Sequence, residues 1–166
     1  MDYEKAAVYW EEKDKEAVQM DREELWKAMR QFIDVHNTCA LACGGGRSIR
    51  CTPIEYVYKD GCFWMLSEGG LKFRALKEND NVCIAIYDDY EGFGKLAGMQ
   101  VTGTAEIVEP WSAEYLELLS YKHIKPEKLK KLPCTMHLIK IRPERIDFLC
   151  SQFQKDGYDS RQHLIF

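Results

Sequence analysis

The turn signals of this chain constrain its fold more than any other feature. Lys59-Asp60-Gly61 separates a β-rich run at 49–58 from a returning run at 62–66, the spacing of a tight hairpin. Gly44-Gly45-Gly46 likewise separates a small-residue run at 38–43 from the run that follows, and reads as a hairpin connection rather than a phosphate cradle. Further β-rich runs lie at 82–87 and 98–108, and two more, at 136–141 and 145–148, flank Pro143. Strands joined mostly by hairpins do not make a doubly wound parallel sheet. The expected architecture is mainly β (α+β), a small antiparallel barrel flanked by short helices, because closing the sheet removes exposed edges.

Helical pattern falls outside these runs. Leu25, Met29, Phe32 and Ile33 recur at helical spacing, so 22–35 is expected to be an amphipathic helix. Asp21 would cap it, and Glu23 and Glu24 suit the positive end of its dipole. Residues 4–18 are polar and helix-favouring, which suggests an N-terminal helical arm over 1–20. Shorter helices are expected at 71–78, 111–121 and 126–131, and a polar C-terminal tail at 154–166. With 166 residues, the whole chain fits one domain on the ordinary range of about 100–200 residues.

Composition narrows the functional classes. Apolar residues make up 46% and charged residues 30%, the profile of a globular chain. The net charge of −4 argues against a nucleic-acid partner bound through its phosphates, although it leaves room for a local basic pocket. No run approaches the roughly 20 apolar residues of a membrane span, so no membrane association is expected. The charged N-terminus has no apolar stretch of a secretory signal. The seven cysteines include no Cys-x-x-Cys pair, so reduced, mostly buried thiols, a cytoplasmic location and no metal centre are expected.

Familiar catalytic motifs are missing, and no catalytic residue is assigned. No dinucleotide fingerprint, P-loop, zinc-protease helix or nucleophile elbow occurs. The four histidines are far apart; His137, in an apolar strand, reads as a hydrogen-bonded structural residue, and His36 as one that closes a helix. Phe63, Trp64, Tyr87, Tyr90, Phe93 and Trp111 read either as a stacking wall or as core.

The segment 50–81 is more informative. Arg50 and Thr52 share one side of a strand, because side chains alternate. One hairpin later come Ser67, Gly69, Gly70 and Lys72, with Lys72 opening a short helix. Arg50 would supply paired hydrogen bonds, Lys72 a point charge and Ser67 a hydroxyl, a set suited to a phosphate. Ordinary surface cations beside a helix cap fit the same residues, and this alternative stays open.

Three stretches carry a resemblance: the strand Arg50-Cys51-Thr52-Pro53-Ile54-Glu55-Tyr56-Val57-Tyr58, the run from Phe63 through Ser67 to Lys72 leading into Asn79-Asp80-Asn81, and Met99-Gln100-Val101-Thr102-Gly103-Thr104. In their order and spacing, from about Leu25 to Asp147, the chain resembles the pyridoxamine 5'-phosphate oxidase-like family of FMN-binding split β-barrels. The resemblance implies a split antiparallel barrel that binds FMN at the interface of a homodimer, with a small-molecule substrate. It implies that Arg50 and Lys72 hold the FMN phosphate and that Ser67 lies near them. The flavin ring would be bordered by Cys51, Thr52, Pro53, Met65 and Leu66, with Gln100 bonded to its polar edge. In place of the family's hydroxyl residues before the lysine stands Glu68-Gly69-Gly70-Leu71. The tail, with Arg161 and His163, lacks the oxidase's usual ending, so the implied activity is an FMN-dependent oxidoreductase or flavin reductase rather than that oxidase itself. The alternative is a non-catalytic flavin- or haem-binding dimer on the same barrel.

Overall fold

A computed structural model describes residues 3–166; Met1 and Asp2, part of the expected arm and of the expected 1–166 domain, lie outside the described residues. The described residues form the α-helices α1 (Tyr3–Glu16), α2 (Arg22–Val35), α3 (Lys72–Glu78), α4 (Ala113–Tyr121) and α5 (Pro126–Leu129). The strands are β1 (Thr38–Gly45), β2 (Ser48–Glu55), β3 (Val57–Lys59), β4 (Cys62–Ser67), β5 (Asn81–Tyr87), β6 (Ala97–Val108), β7 (His137–Cys150) and β8 (Arg161–Ile165). They form one antiparallel sheet in the order β2-β1-β5-β6-β7-β4-β3, with β8 on the second half of β7. β2, at one end, approaches β4, next to the other end, without pairing, so the barrel is split there.

The turn chemistry behaves as the residues dictate. Asp60 and Gly61 both have positive φ, at 51° and 76°, and close the two-residue hairpin between Lys59 and Cys62. Gly44 and Gly45 finish β1 rather than forming the turn. A Cβ on Gly45 would come within 2.7 Å of the Ala75 carbonyl oxygen, so glycine is what lets this hairpin lie against α3. The Asp21 carboxylate accepts from the Glu23 amide at 2.8 Å, which makes it the expected cap of α2.

Three boundaries differ from the sequence reading. The run 49–58 is two strands, because Tyr56 leaves the sheet: its amide donates to the Asn37 carbonyl at 2.8 Å and its hydroxyl to the Ile33 carbonyl at 2.7 Å. β2 then pairs with β1, and β3 with β4, so this break opens the split. The two runs around Pro143 are one strand of 14 residues. Thr102 faces Arg145 and Gly103 faces Pro143, so Glu144 is an extra residue, a bulge that accommodates a proline. It also shifts the inward phase of β7 from Ile139 and Ile141 to Ile146 and Phe148. The tail forms β8 rather than staying irregular, because Gln162, 2% exposed, ties it to the segment after α1 through Val18 and Met20.

The core lies inside the barrel. Leu41, Phe63, Met65, Ile84, Val101 and Ile139 point inward and are fully buried, each worth about 2 kcal/mol on burial. Helix α2 covers one opening with Leu25, Met29 and Ile33. Outside β4 and β7, α4 packs Tyr115, Leu118 and Leu119 against Cys62, Trp64 and Leu138 in a separate cluster. Helix α1 is exposed along its described length, and the ring of Trp10 receives the Arg161 guanidinium at 4.6 Å.

Candidate functional site

The split between β2 and β4 is bordered by α3, which packs on β1 and β2. Arg50 stands directly opposite the buried Cys43 and therefore projects to the inner side of β2, as does Thr52 two residues on. Across the split, Ser67 ends β4 on the same inward phase as Phe63 and Met65. The chain then turns through Gly69 and Gly70, with φ of 117° and 100°, values that L side chains rarely adopt. No side chain stands within 4 Å of the position a Cβ would take at Gly69, so only backbone conformation requires glycine there.

This turn sets the lysine. The Ser67 hydroxyl lies 3.3 Å from the Gly69 carbonyl and 3.4 Å from the Gly69 amide. The same carbonyl accepts from Lys72 Nζ at 2.8 Å. Lys72 is only 8% exposed, rare for a lysine, and its ammonium stands 5.5 Å from the Phe73 ring. Burial lowers its pKa from the ordinary value, and the charge of Arg50 pushes the same way, against the Cys43 thiol. Neither Arg50 nor Lys72 has a carboxylate partner among the described residues. A buried cation held near a second cation is costly alone, and an anion between them removes the cost.

The other expected contacts divide between two faces. Cys51 and Pro53 stand on the outward face of the sheet, in line with Ala42 and Ala40 of β1. Cys51 is exposed, which corrects the expectation of a buried thiol. Gln100 is exposed on the same outward face, beside Ala85 and Asp147. There it lines a cavity of about 420 Å³, floored by Ala85 and Gly98 and walled by Tyr87, Asp147 and His163. Met65 is fully buried in the barrel and Leu66 packs toward α4, so at these two positions the notch meets backbone rather than side chain. The structure thus brings Arg50, Thr52, Ser67 and Lys72 to one notch, and sets Cys51, Pro53 and Gln100 on the adjoining outer face.

Two features of the site went unread in the sequence. Phe73, on α3, stands at the notch beside Lys72. His137 opens β7 directly opposite Ser67, and its ring lies 5.0 Å from that of Phe73. The strand alternation His137, Ile139, Ile141 already placed it on the inward face, but only the pairing of β4 with β7 brings it to Ser67. Of the aromatics, Phe63 and Trp64 are core, while Tyr87, Tyr90 and Phe93 are exposed. His36 closes α2 as expected, with Nδ1 2.8 Å from the Phe32 carbonyl and Nε2 2.8 Å from Asp88. All seven cysteines are free thiols, and no cluster of metal-ligating side chains occurs among the described residues. No helix among the described residues is long and apolar enough to cross a membrane.

Comparison with known proteins bears on this geometry. The sequence profile of the pyridoxamine 5'-phosphate oxidase family matches residues 25–150. No curated protein matches the chain. Among solved structures, the haem storage protein HutZ of Vibrio cholerae shares the fold at a TM-score of 0.60 and 16% identity, over 71% of this chain and 89% of its own. ChuZ of Campylobacter jejuni does so at 0.66 and 16% identity, over 89% of this chain and 61% of its own. An FAD-binding protein of Mesorhizobium loti does so at 0.55 and 18% identity, over 70% and 88%. At these identities the likeness is one of fold.

Proposed function

The chain belongs to the pyridoxamine 5'-phosphate oxidase family, and on that premise we propose that it is an FMN-dependent oxidoreductase or flavin reductase acting on a small molecule, working as a cytoplasmic homodimer with the flavin between subunits. The observation that carries this reading is the pair Arg50 and Lys72, two cations turned to one notch with no carboxylate between them among the described residues. The 5'-phosphate of FMN is a dianion, and it supplies the charge the notch lacks. When bound, FMN supplies the electron-transfer chemistry. The chain's own part is to hold and orient it. Lys72 and Arg50 grip the phosphate, while the Ser67–Gly69–Lys72 network keeps the ammonium in place. The outer face beside Gln100, with its floor of small residues, takes the planar ring, and Gln100 offers an amide to the ring's polar edge.

The same division supports the dimer. An outer face with exposed Tyr87 and a shallow cavity leaves one side of a ring in water, and a second copy would cover it. The free thiols support a reducing compartment.

The absorbance spectrum of the purified protein tests this reading. Flavin bands bleached by a nicotinamide donor and restored by an acceptor are the expected result. A second reading, a non-catalytic flavin or haem carrier, draws on the fold shared with a haem storage protein. It predicts flavin bands without turnover, or a Soret band. A colourless protein that takes up neither ligand would count against both.

A further inference from the structure

We propose that His137 is a third phosphate-binding side chain of the notch, one that makes the site selective for the phosphorylated flavin over the free one. The inference rests on the flavin reading above and extends it to a residue on an element, β7, that the sequence motifs did not include. Three observations carry it. His137 is directly opposite Ser67 in the β4–β7 ladder, and opposed residues on one face stand about 5 Å apart at Cβ. Its ring is set against Phe73 at 5.0 Å with the planes at 51°, so α3, which also carries Lys72, fixes where the imidazole sits. The ring is half-buried, yet neither nitrogen makes a hydrogen bond among the described residues.

Contrast with His36 shows what an internally satisfied imidazole looks like here. Both nitrogens of His36 have partners at 2.8 Å. The expected hydrogen-bonded structural role at 137 is therefore not what the fold provides. An imidazole keeps at least one N–H donor in either charge state. At the mouth of the notch, beside the Ser67 hydroxyl and across the Phe73 ring from α3, that donor suits a phosphate oxygen which Arg50 and Lys72 leave unbonded. Phosphate has more acceptor positions than two cations fill. Riboflavin, which lacks the phosphate, gains nothing from the contact.

The test is a pair of titrations of the full chain, cleared of any copurified flavin, with FMN and with riboflavin. His137→Phe keeps an aromatic ring against Phe73 and removes the donor. It should weaken FMN binding about tenfold, the scale of one hydrogen bond to a charged group, and leave riboflavin unchanged. His137→Gln, which retains an N–H, should recover most of the loss. In the unaltered chain the ¹⁵N resonances of the His137 ring should move on adding FMN and stay in place on adding riboflavin, a readout that needs no variant to fold. FMN affinity untouched in His137→Phe, equal loss of both flavins, or an unmoved ring resonance overturns the role of His137 while the flavin reading stands. Failure of the unaltered chain to bind FMN removes the flavin reading, and this inference with it.

Discussion

Two lysine-bearing surfaces flank β4, and they are built on opposite principles. On the outer side, between the β3–β4 hairpin, β7 and α4, every lysine has a carboxylate. Lys59 pairs with Asp60 and Glu117, and Lys140 with Glu114, whose carboxylate it meets at 2.6 Å while its ammonium lies 5.1 Å from the Trp64 ring. Hydrogen bonds to these carboxylates raise the pKa of both lysines. On the inner side, Lys72 donates to the Gly69 carbonyl and meets no carboxylate among the described residues, and burial pulls its pKa down. The outer cavity, about 390 Å³, is electrically closed by its own residues. The notch is not: among the described residues no carboxylate meets Arg50 or Lys72, and in the function proposed above the FMN phosphate supplies the balancing charge. A cluster of cations is thus informative only together with the anions the fold does or does not place beside it.

The strongest way to break this contrast is to remove both notch cations. Arg50→Ala with Lys72→Ala should weaken FMN binding by about a hundredfold or more, since each supplies a charge-assisted contact worth roughly 1.5–3 kcal/mol. Flavin titration checks it, and an unchanged affinity would end the phosphate assignment. Lys72→Met alone should cost about tenfold in affinity. In the absence of flavin the same variant should melt at a higher temperature than the unaltered chain, because it replaces a buried cation that lacks a carboxylate with an apolar side chain of similar shape. A lower melting temperature would show that the bond to Gly69 outweighs the burial. Lys140→Ala should leave flavin affinity unaltered and cost about 0.5 kcal/mol of stability, the scale of a partly exposed ion pair. Denaturant unfolding reads that value.

The smallest effect is on pH dependence, and its sign separates the two surfaces. Lys72 has a lowered pKa when folded, so the unfolded chain binds more protons just below the ordinary lysine value of 10.5, and this residue makes stability rise with pH there. Lys140 has a raised pKa, so its contribution is present below 10.5 and is lost as pH climbs through the folded value. Cys39, pushed up to about 12 by burial from the ordinary 9.0, loses its contribution between those values in the same direction as Lys140. Melting temperature followed from pH 8 to 11 (about the titration range of these groups) should therefore fall more steeply in Lys72→Met than in the unaltered chain. A shallower fall would reverse the assignment of Lys72 as the strained cation.

Much of this molecule was legible before its structure. The Asp60-Gly61 turn, the Asp21 cap and the periodic apolar face of α2 each depend on a few neighbouring residues, and each formed as read. Arg50, Ser67 and Lys72 also came together, since one hairpin and one short turn separate them. What escaped depended on partners distant in the chain. Pro143 reads locally as a strand breaker, and only the pairing with Gly103 converts it to a bulge: a Cβ there would lie 2.1 Å from the Arg142 carbonyl oxygen. Cys51 lies in an apolar run and reads as buried, yet β2 is the edge strand and its outward face is open.

By itself the sequence determined which segments turn, which alternate and which cap, because those outcomes are decided by dihedral preferences and side-chain periods within a few residues. It also determined that two cations and a hydroxyl would lie within one hairpin of each other. The tertiary structure alone decided that Lys72 is buried without a carboxylate and that Lys140 is not. It also brought His137 across from Ser67, 70 positions away in sequence, and set Gln100 on the face opposite the barrel interior. Those outcomes depend on strand order and register. Hydrogen bonds and burial over the whole sheet settle both, so no local stretch of residues encodes them.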